Sequence, residues 1–160
     1  MNTKIKARVT TALLLAAGMG SRLYPLTKSE PKCMTSVNGK SILDRMIASL
    51  NFHGFKRLVI VTGHLESSIR KYLGNRVGDM KIEYIHSPLY KSTNNIYSLW
   101  MARKAISEPF LLLESDLIYD KELLAKMLTP DRIAVSRMCE WINGTCVLLN
   151  KSEVVKEFIT

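Results

Sequence analysis

Gly18, Gly20, Arg22 and Lys32 are spaced as a chain would space them to hold a string of phosphates. They lie in LAAGMGSRLYPLTKSEPK, residues 15–32, where an apolar run breaks at a Gly-x-Gly turn. Glycines let backbone N–H groups come close to a ligand and form a nest for anionic oxygens. The guanidinium of Arg22 is a rigid fork suited to phosphate. Pro25 and Pro31 stiffen the long connection that brings Lys32 back. The alternative that needs no ligand is a tight turn followed by a surface arginine.

Other phosphate loops fit this stretch poorly. It contains no Gly-Lys-Ser/Thr, so it is not a P-loop. A dinucleotide fingerprint would need glycine where Leu23 stands, and its acid at a strand end, whereas Asp44 falls inside a helical pattern. Gly-x-Ser-x-Gly is absent, so there is no nucleophile elbow.

Elements must hold these residues in place. Continuous apolar runs predict strands at Thr11–Ala16, Leu58–Thr62, Ile82–Ile85, Phe110–Leu113 and Ile133–Ser136, with Gly144–Leu149 as a sixth. Runs without alternation point to strands buried on both faces. Helical spacing follows Ser41, an N-cap, through Ile42, Met46, Ile47 and Leu50 to a stop at Gly54. Further helices are expected over Ser67–Leu73, Ile96–Ala105 and Lys121–Leu128. Alternating strands and helices predict an α/β fold with a doubly wound, mostly parallel sheet. Such sheets bind ligands beyond the carboxyl ends of their strands. Gly18, the pair Gly63-His64 and Asp116 all sit at such ends.

The 160 residues suit one domain, with 47% apolar and 23% charged residues. The first 80 residues hold 13 Lys+Arg against 4 Asp+Glu, and the second 80 hold ten of each. The first half therefore carries the whole net charge of +9. That excess suits a small polyanionic ligand. Nucleic acid is not expected, because the cations are scattered and not interleaved with aromatics. No apolar run approaches the ~18 residues that span a bilayer. Lys4, Lys6 and Arg8 before the run Val9–Met19 imitate a secretory signal, but the same run reads better as a buried strand. Cys33, Cys139 and Cys146 form no CxxC pair and fit reduced thiols in a cytoplasmic protein.

The stretch 15–32 resembles the signature of the nucleotidyltransferases that activate sugar phosphates and alcohol phosphates. Leu15, Gly18, Gly20, Arg22, then Pro25-Leu26-Thr27, then Pro31-Lys32 stand where that pattern places them. The resemblance continues through the order of strands and helices to about residue 150. It implies a Rossmann-like nucleotidyltransferase fold. It also implies that Leu15, Ala16, Ala17, Gly18, Gly20, Ser21 and Arg22 cradle a nucleoside triphosphate while Lys32 meets phosphates near the reacting centre. Asp116, in FLLLESDLIYD, takes the place of the family's Mg²⁺ ligand. Glu114 and Asp120 are weaker metal candidates: Glu114 alternates to the other side of the strand from Ser115, and Asp120 suits a helix cap.

Thr93-Asn94-Asn95, in YKSTNNIYSLWMAR, resembles the base-recognising segment of CTP:phosphocholine cytidylyltransferases, and LLLESDLIYD resembles the related 2-aminoethylphosphonate enzymes. Asn side chains offer the donors and acceptors that a cytosine edge requires, but the same residues could cap a helix. Trp141, with Glu140 beside it, suits a quaternary ammonium by cation–π attraction, or packs on the core edge. The implied substrates are CTP and a phosphorylated amino alcohol or aminoalkylphosphonate, with Mg²⁺ as cofactor. A sugar-1-phosphate nucleotidyltransferase and a non-catalytic nucleotide-binding module are the alternatives. The family's catalytic domain continues beyond what is seen here, so the chain is expected to be the N-terminal part of a longer domain that completes the sheet.

Overall fold

The computed structural model describes residues 8–137, 139 and 144–159. Among the described residues, nine strands and four α-helices form in the order β1 (Thr11–Ala16), β2 (Ser36–Val37), β3 (Lys40–Ser41), α1 (Ile42–Phe52), β4 (Arg57–Thr62), α2 (Glu66–Leu73), β5 (Arg76–Val77), β6 (Met80–His86), α3 (Asn95–Ala102), β7 (Phe110–Glu114), α4 (Lys121–Lys126), β8 (Cys146–Leu149) and β9 (Val155–Ile159).

The main sheet runs β5-β6-β4-β1-β7, with β6, β4, β1 and β7 parallel and β5 antiparallel at the edge. Along the chain, β1 comes first, β4 and β6 are added on one side, and β7 returns to the other. The strand order therefore reverses between β1 and β7. That is the switch point at which such sheets open a crevice beyond their carboxyl ends.

Strand β1 shows why the winding is double. All six of its residues are buried. Ala12, Leu14 and Ala16 join Leu43, Met46 and Leu50 of α1 and Ile69 of α2 in one core. Leu13, Leu15 and Ala17 join Val59, Val61 and, on α3, Ala102 in a second. Successive side chains of a strand point to opposite faces, so an unbroken apolar run is what two-sided burial requires.

Helix α1 begins as its sequence predicts. Ser41 Oγ accepts a hydrogen bond from Asp44 N at 3.0 Å, and the chain turns away at Gly54 with φ of 70°. Gly39-Lys40-Ser41 is the only Gly-Lys-Ser/Thr in the chain, and Met34 stands where a P-loop needs its first glycine. It forms the end of the β2–β3 hairpin and the cap of α1.

Four expectations are corrected. Ile133–Ser136 is not a strand. β8 pairs antiparallel with β9 in a separate hairpin and does not join the main sheet. The third and fourth helices end at Ala102 and Lys126, short of Ala105 and Leu128. Apolar runs located these segments, but their pairing depends on partners that periodicity does not reveal. Among the described residues no helix is long and apolar enough to cross a membrane.

A charge network ties the amino-terminal ends of the strands. Arg57 pairs with Glu83 and Glu108, both at 2.8 Å, and Thr11 Oγ1 donates to Glu108 at 2.7 Å. The Arg57 hydrogen bonds hold Glu83 down at about 2. The Thr11 hydroxyl, with backbone donors and Arg57, does the same for Glu108. Carboxylates depressed in the folded state add stability that is complete above their unfolded value, about 4.3, and is lost as pH falls toward 2. The acid limb of a stability profile between about pH 4.5 and 2 is therefore expected to flatten in Glu83→Gln. Urea midpoints measured at several pH values test this, and an unchanged limb would remove the network from the account.

Candidate active site

The loop after β1 is built around one carbonyl. Gly20 adopts the left-handed conformation, φ 63° and ψ 31°, which a side chain would strain. Its carbonyl accepts from Leu23 N at 2.9 Å and from Thr27 Oγ1 at 2.7 Å. Thr27 is fully buried. The threonine of Pro25-Leu26-Thr27 is thus a clamp that closes the glycine loop on itself. Thr27→Val keeps the shape and removes the bond, so it is expected to cost about 1–2 kcal/mol of stability. Denaturant melts of the variant and wild type read the effect, and an unchanged midpoint would remove the clamp from the account.

Lys32 is aimed by its neighbours. Pro31 opens a short 3₁₀ turn, with Met34 N donating to Pro31 O at 2.8 Å. Cys33 anchors that turn in the core at 1% exposure, and burial pushes its thiol up to about 12, so it is uncharged. The side chain of Lys32 points the other way and forms an ion pair with Asp116. A lysine and an aspartate 84 residues apart in sequence are thereby joined.

Leu15, Gly18, Gly20, Ser21, Arg22, Lys32, Asn95 and Asp116 line one pocket of about 280 Å³ at the β1/β7 switch point. Ala16 and Ala17 lie behind it, with Ala17 O accepting from His64 N at 3.0 Å. His64 does not line the pocket; its Nε2 lies 3.4 Å from Thr27 O, on the back of the clamp.

Glu114 also lines this pocket, together with Ser115 and Leu23. Its Oε2 accepts from Asn95 Nδ2 at 3.0 Å. Burial and then the charge of Asp116 push its carboxyl upward, against the opposing pull of Asn95 and Lys32. Strand alternation separates Glu114 from Ser115, which makes it look the weaker metal candidate in sequence. The same alternation places residues two apart on one side, so it groups Glu114 with Asp116, and the signal was present in Glu-Ser-Asp. Asp120 is a helix cap, its Oδ1 accepting from Glu122 N at 3.5 Å.

Only one of the three nucleobase candidates reaches the pocket. Asn94 Oδ1 accepts from Ile96 N at 3.1 Å and caps α3. Thr93 Oγ1 donates to Leu89 O at 2.7 Å. Both face a separate open depression that Tyr97 and Trp100 also line. Glu140 and Trp141 lie outside the described residues.

Asp116 and Glu114 suit a divalent cation. Each lines the pocket, and like charge from Asp116 burdens Glu114, a repulsion that a cation relieves. Among the described residues no group of three or more His, Cys, Asp or Glu forms a metal cluster. Mg²⁺ needs no such cage, because it keeps several waters and is held through one or two carboxylates plus substrate phosphates.

Comparison with known proteins identifies the family. The family model described as Nucleotidyl transferase fits residues 11–134. The chain is 32% identical over 151 residues, 92% of its length, to CMP-5'-(3-aminopropyl)phosphonate synthase of Streptomyces rubellomurinus, of which it spans 24%. It is 30% identical over 154 residues, 91% of its length, to a UTP–glucose-1-phosphate uridylyltransferase of Haloferax volcanii, of which it spans 63%. The solved CTP:phosphocholine cytidylyltransferase of Streptococcus pneumoniae shares the fold, with a TM-score of 0.74 at 24% identity over 96% of this chain and 64% of that one. The glycine loop, the clamp that closes it and the Lys32–Asp116 pair thus stand within the matched region, and the chain belongs to the nucleotidyl transferase family.

Proposed function

We propose that the protein of which this chain is part transfers CMP from CTP to a small phosphorylated amino alcohol or aminoalkylphosphonate, releasing pyrophosphate. The observation that carries this reading is the meeting of the glycine loop, Arg22, Lys32, Glu114 and Asp116 in one pocket at the switch point. An acceptor oxygen attacks the α-phosphorus, a new P–O bond forms, the α–β phosphoanhydride bond breaks and pyrophosphate leaves with the electron pair. The acceptor is already anionic near neutral pH, so no general base is required. The work left to the protein is alignment and charge compensation.

The backbone N–H groups around Gly18 and Gly20, with Arg22, hold the triphosphate. Lys32 offsets charge near the reacting centre, once its ion pair with Asp116 is exchanged for substrate. Asp116, with Glu114 beside it, would hold Mg²⁺, which supplies neutralisation of charge on the reacting phosphate when bound. Asn95 fixes the carboxylate of Glu114. Thr93 and Asn94 set the start of α3, and their backbone and remaining donor groups are assigned to the cytosine. Trp141 and Glu140 are assigned to the cationic end of the acceptor.

The cytidylyl reading draws on the Streptomyces relative and on the Thr93-Asn94-Asn95 segment. A sugar-1-phosphate reading draws on the Haloferax relative, matched over 91% of this chain. Pyrophosphate release by the full-length gene product separates them. CTP and UTP are each offered with Mg²⁺ and with phosphocholine, 2-aminoethylphosphonate or glucose-1-phosphate. Release from CTP with an amino-bearing acceptor is the expected result. Release only from UTP with the sugar phosphate would replace the acceptor and base assignments and leave the phosphate loop standing. No release with any pair would leave nucleotide binding as the function.

A further inference from the structure

Both carboxylates of the candidate active site are already engaged before any ligand arrives. Glu114 Oε2 accepts from Asn95 Nδ2 at 3.0 Å, and Asp116 Oδ2 is paired with the ammonium of Lys32. All four residues line the same pocket. A protein cation therefore stands on the acid assigned to the metal.

Lys32 also stands against the phosphate side. A Cβ added at Gly20 would lie 3.4 Å from Lys32 Cβ, so the stem of the lysine starts beside the turn of the glycine loop. Its base is fixed. Thr35 N donates to Lys32 O at 3.2 Å within the 3₁₀ turn, and the neighbouring Cys33 is buried. Beyond that base a lysine is a flexible four-carbon stem with a compact charge at its tip. The backbone thus holds the stem between the glycine loop and Asp116, where one tip can serve either side.

The pair is suited to exchange. The side chains of Lys32 and Asp116 are 21% and 38% exposed, and ion pairs that face water are weak. A triphosphate carries several negative charges and outcompetes one carboxylate for the ammonium. A divalent cation alone meets the opposite condition. To reach Asp116 it has to displace the ammonium and then share the pocket with it and with Arg22.

We propose that Lys32 is a placeholder for the metal: without nucleotide it covers Asp116 and keeps divalent cations off, and a triphosphate on the glycine loop draws it away and opens the acid. Triphosphate and divalent cation both favour the lysine away from Asp116, so each promotes the other's binding through Lys32, and the coupling is reciprocal. The inference rests on the reading of this pocket as a triphosphate and metal site, and it is tested by binding, without turnover.

Mn²⁺ is titrated into the nucleotide-free, full-length protein, and free Mn²⁺ is read from its paramagnetic resonance signal. Lys32→Met is expected to bind Mn²⁺ about five- to tenfold more tightly than wild type, and adding Asp116→Asn should abolish the gain. Arg22→Met removes a pocket cation outside the pair and should gain much less. In the reciprocal arm, CTP is titrated calorimetrically in EDTA. Asp116→Asn, which releases Lys32, should bind metal-free CTP more tightly than Glu114→Gln, which removes the same charge and leaves the pair intact. Circular dichroism checks that each variant is folded. Equal Mn²⁺ affinity in wild type and Lys32→Met, with binding lost in Asp116→Asn, would overturn the placeholder and leave the metal site standing. An equal gain in Arg22→Met would overturn it by reducing the effect to pocket charge, and so would equal CTP affinity in Asp116→Asn and Glu114→Gln. Mn²⁺ binding indifferent to Asp116 in every variant would remove the metal reading and the placeholder together.

Discussion

Asp116→Asn is expected to lower kcat for pyrophosphate release by about 10²- to 10³-fold while leaving the protein folded. That is the range for removing one preorganised charge partner from a reacting centre. The substitution keeps the volume and the ability to accept a hydrogen bond, and removes the charge. Asp116 lies two residues past the end of β7 with 38% of its side chain exposed, and it pairs with Lys32. Nothing in the core depends on it, so the thermal midpoint should move little. Lys32→Met should also lower kcat. If the two act on the same phosphate, the double variant will fall by much less than the product of the two single effects, as groups that work as a unit do. Simple multiplication would mean that the ion pair in the free protein is incidental to catalysis. Full activity of Asp116→Asn would sink the assignment of the metal-holding acid. The same series with Glu114→Gln ranks the two carboxylates, and its outcome matters because both line the pocket.

The parts legible in the sequence were those in which one segment carries its own reason. Thr11–Ala16 reads as a strand because six consecutive apolar or small residues can be buried on both faces only there. The cap at Ser41, the stop at Gly54 and the cap at Asp120 are local chemistry and were read as such. The parts that were not legible depend on a distant partner. β8 was visible as an apolar run, but its pairing with β9 across a hairpin was not. Asn94 and Asn95 look equivalent in sequence. One is spent on the start of α3, and the other crosses to Glu114, 19 residues away. No periodicity distinguishes them, because the difference lies in the first residue of α3 reaching the last residue of β7. Thr27 was recognised as part of a motif, but its role as the clamp on Gly20 became visible only once the loop closed.

Gly63 shows the same dependence on distant chain, and it sets the second large expected effect. It sits just after β4, and its backbone conformation is one that other residues adopt, so strain does not explain it. Space does. A Cβ there would stand 2.7 Å from the Tyr90 side chain and 2.8 Å from the carbonyl oxygen of Ala17. The Ala17 carbonyl belongs to the chain entering the glycine loop, and Tyr90 precedes the segment that carries Thr93 to Asn95. One methyl group would therefore push on the phosphate side and the nucleobase side of the site at once. Gly63→Ala is expected to lose about 1–3 kcal/mol of stability from overpacking, several degrees of thermal midpoint in a chain of this size. It should also weaken nucleotide binding, since neither wall can yield without moving a binding loop. Gly18→Ala is the informative contrast. Nothing lies within 4 Å of a Cβ at Gly18, so it should leave stability nearly unchanged. Because Gly18 lines the phosphate pocket, the added methyl should still weaken nucleotide binding. Thermal melts with and without CTP place each variant. If Gly63→Ala melts like wild type and binds CTP normally, the contact between the two loops is not what shapes the site. If Gly18→Ala binds CTP normally, the triphosphate lies elsewhere than on the glycine loop.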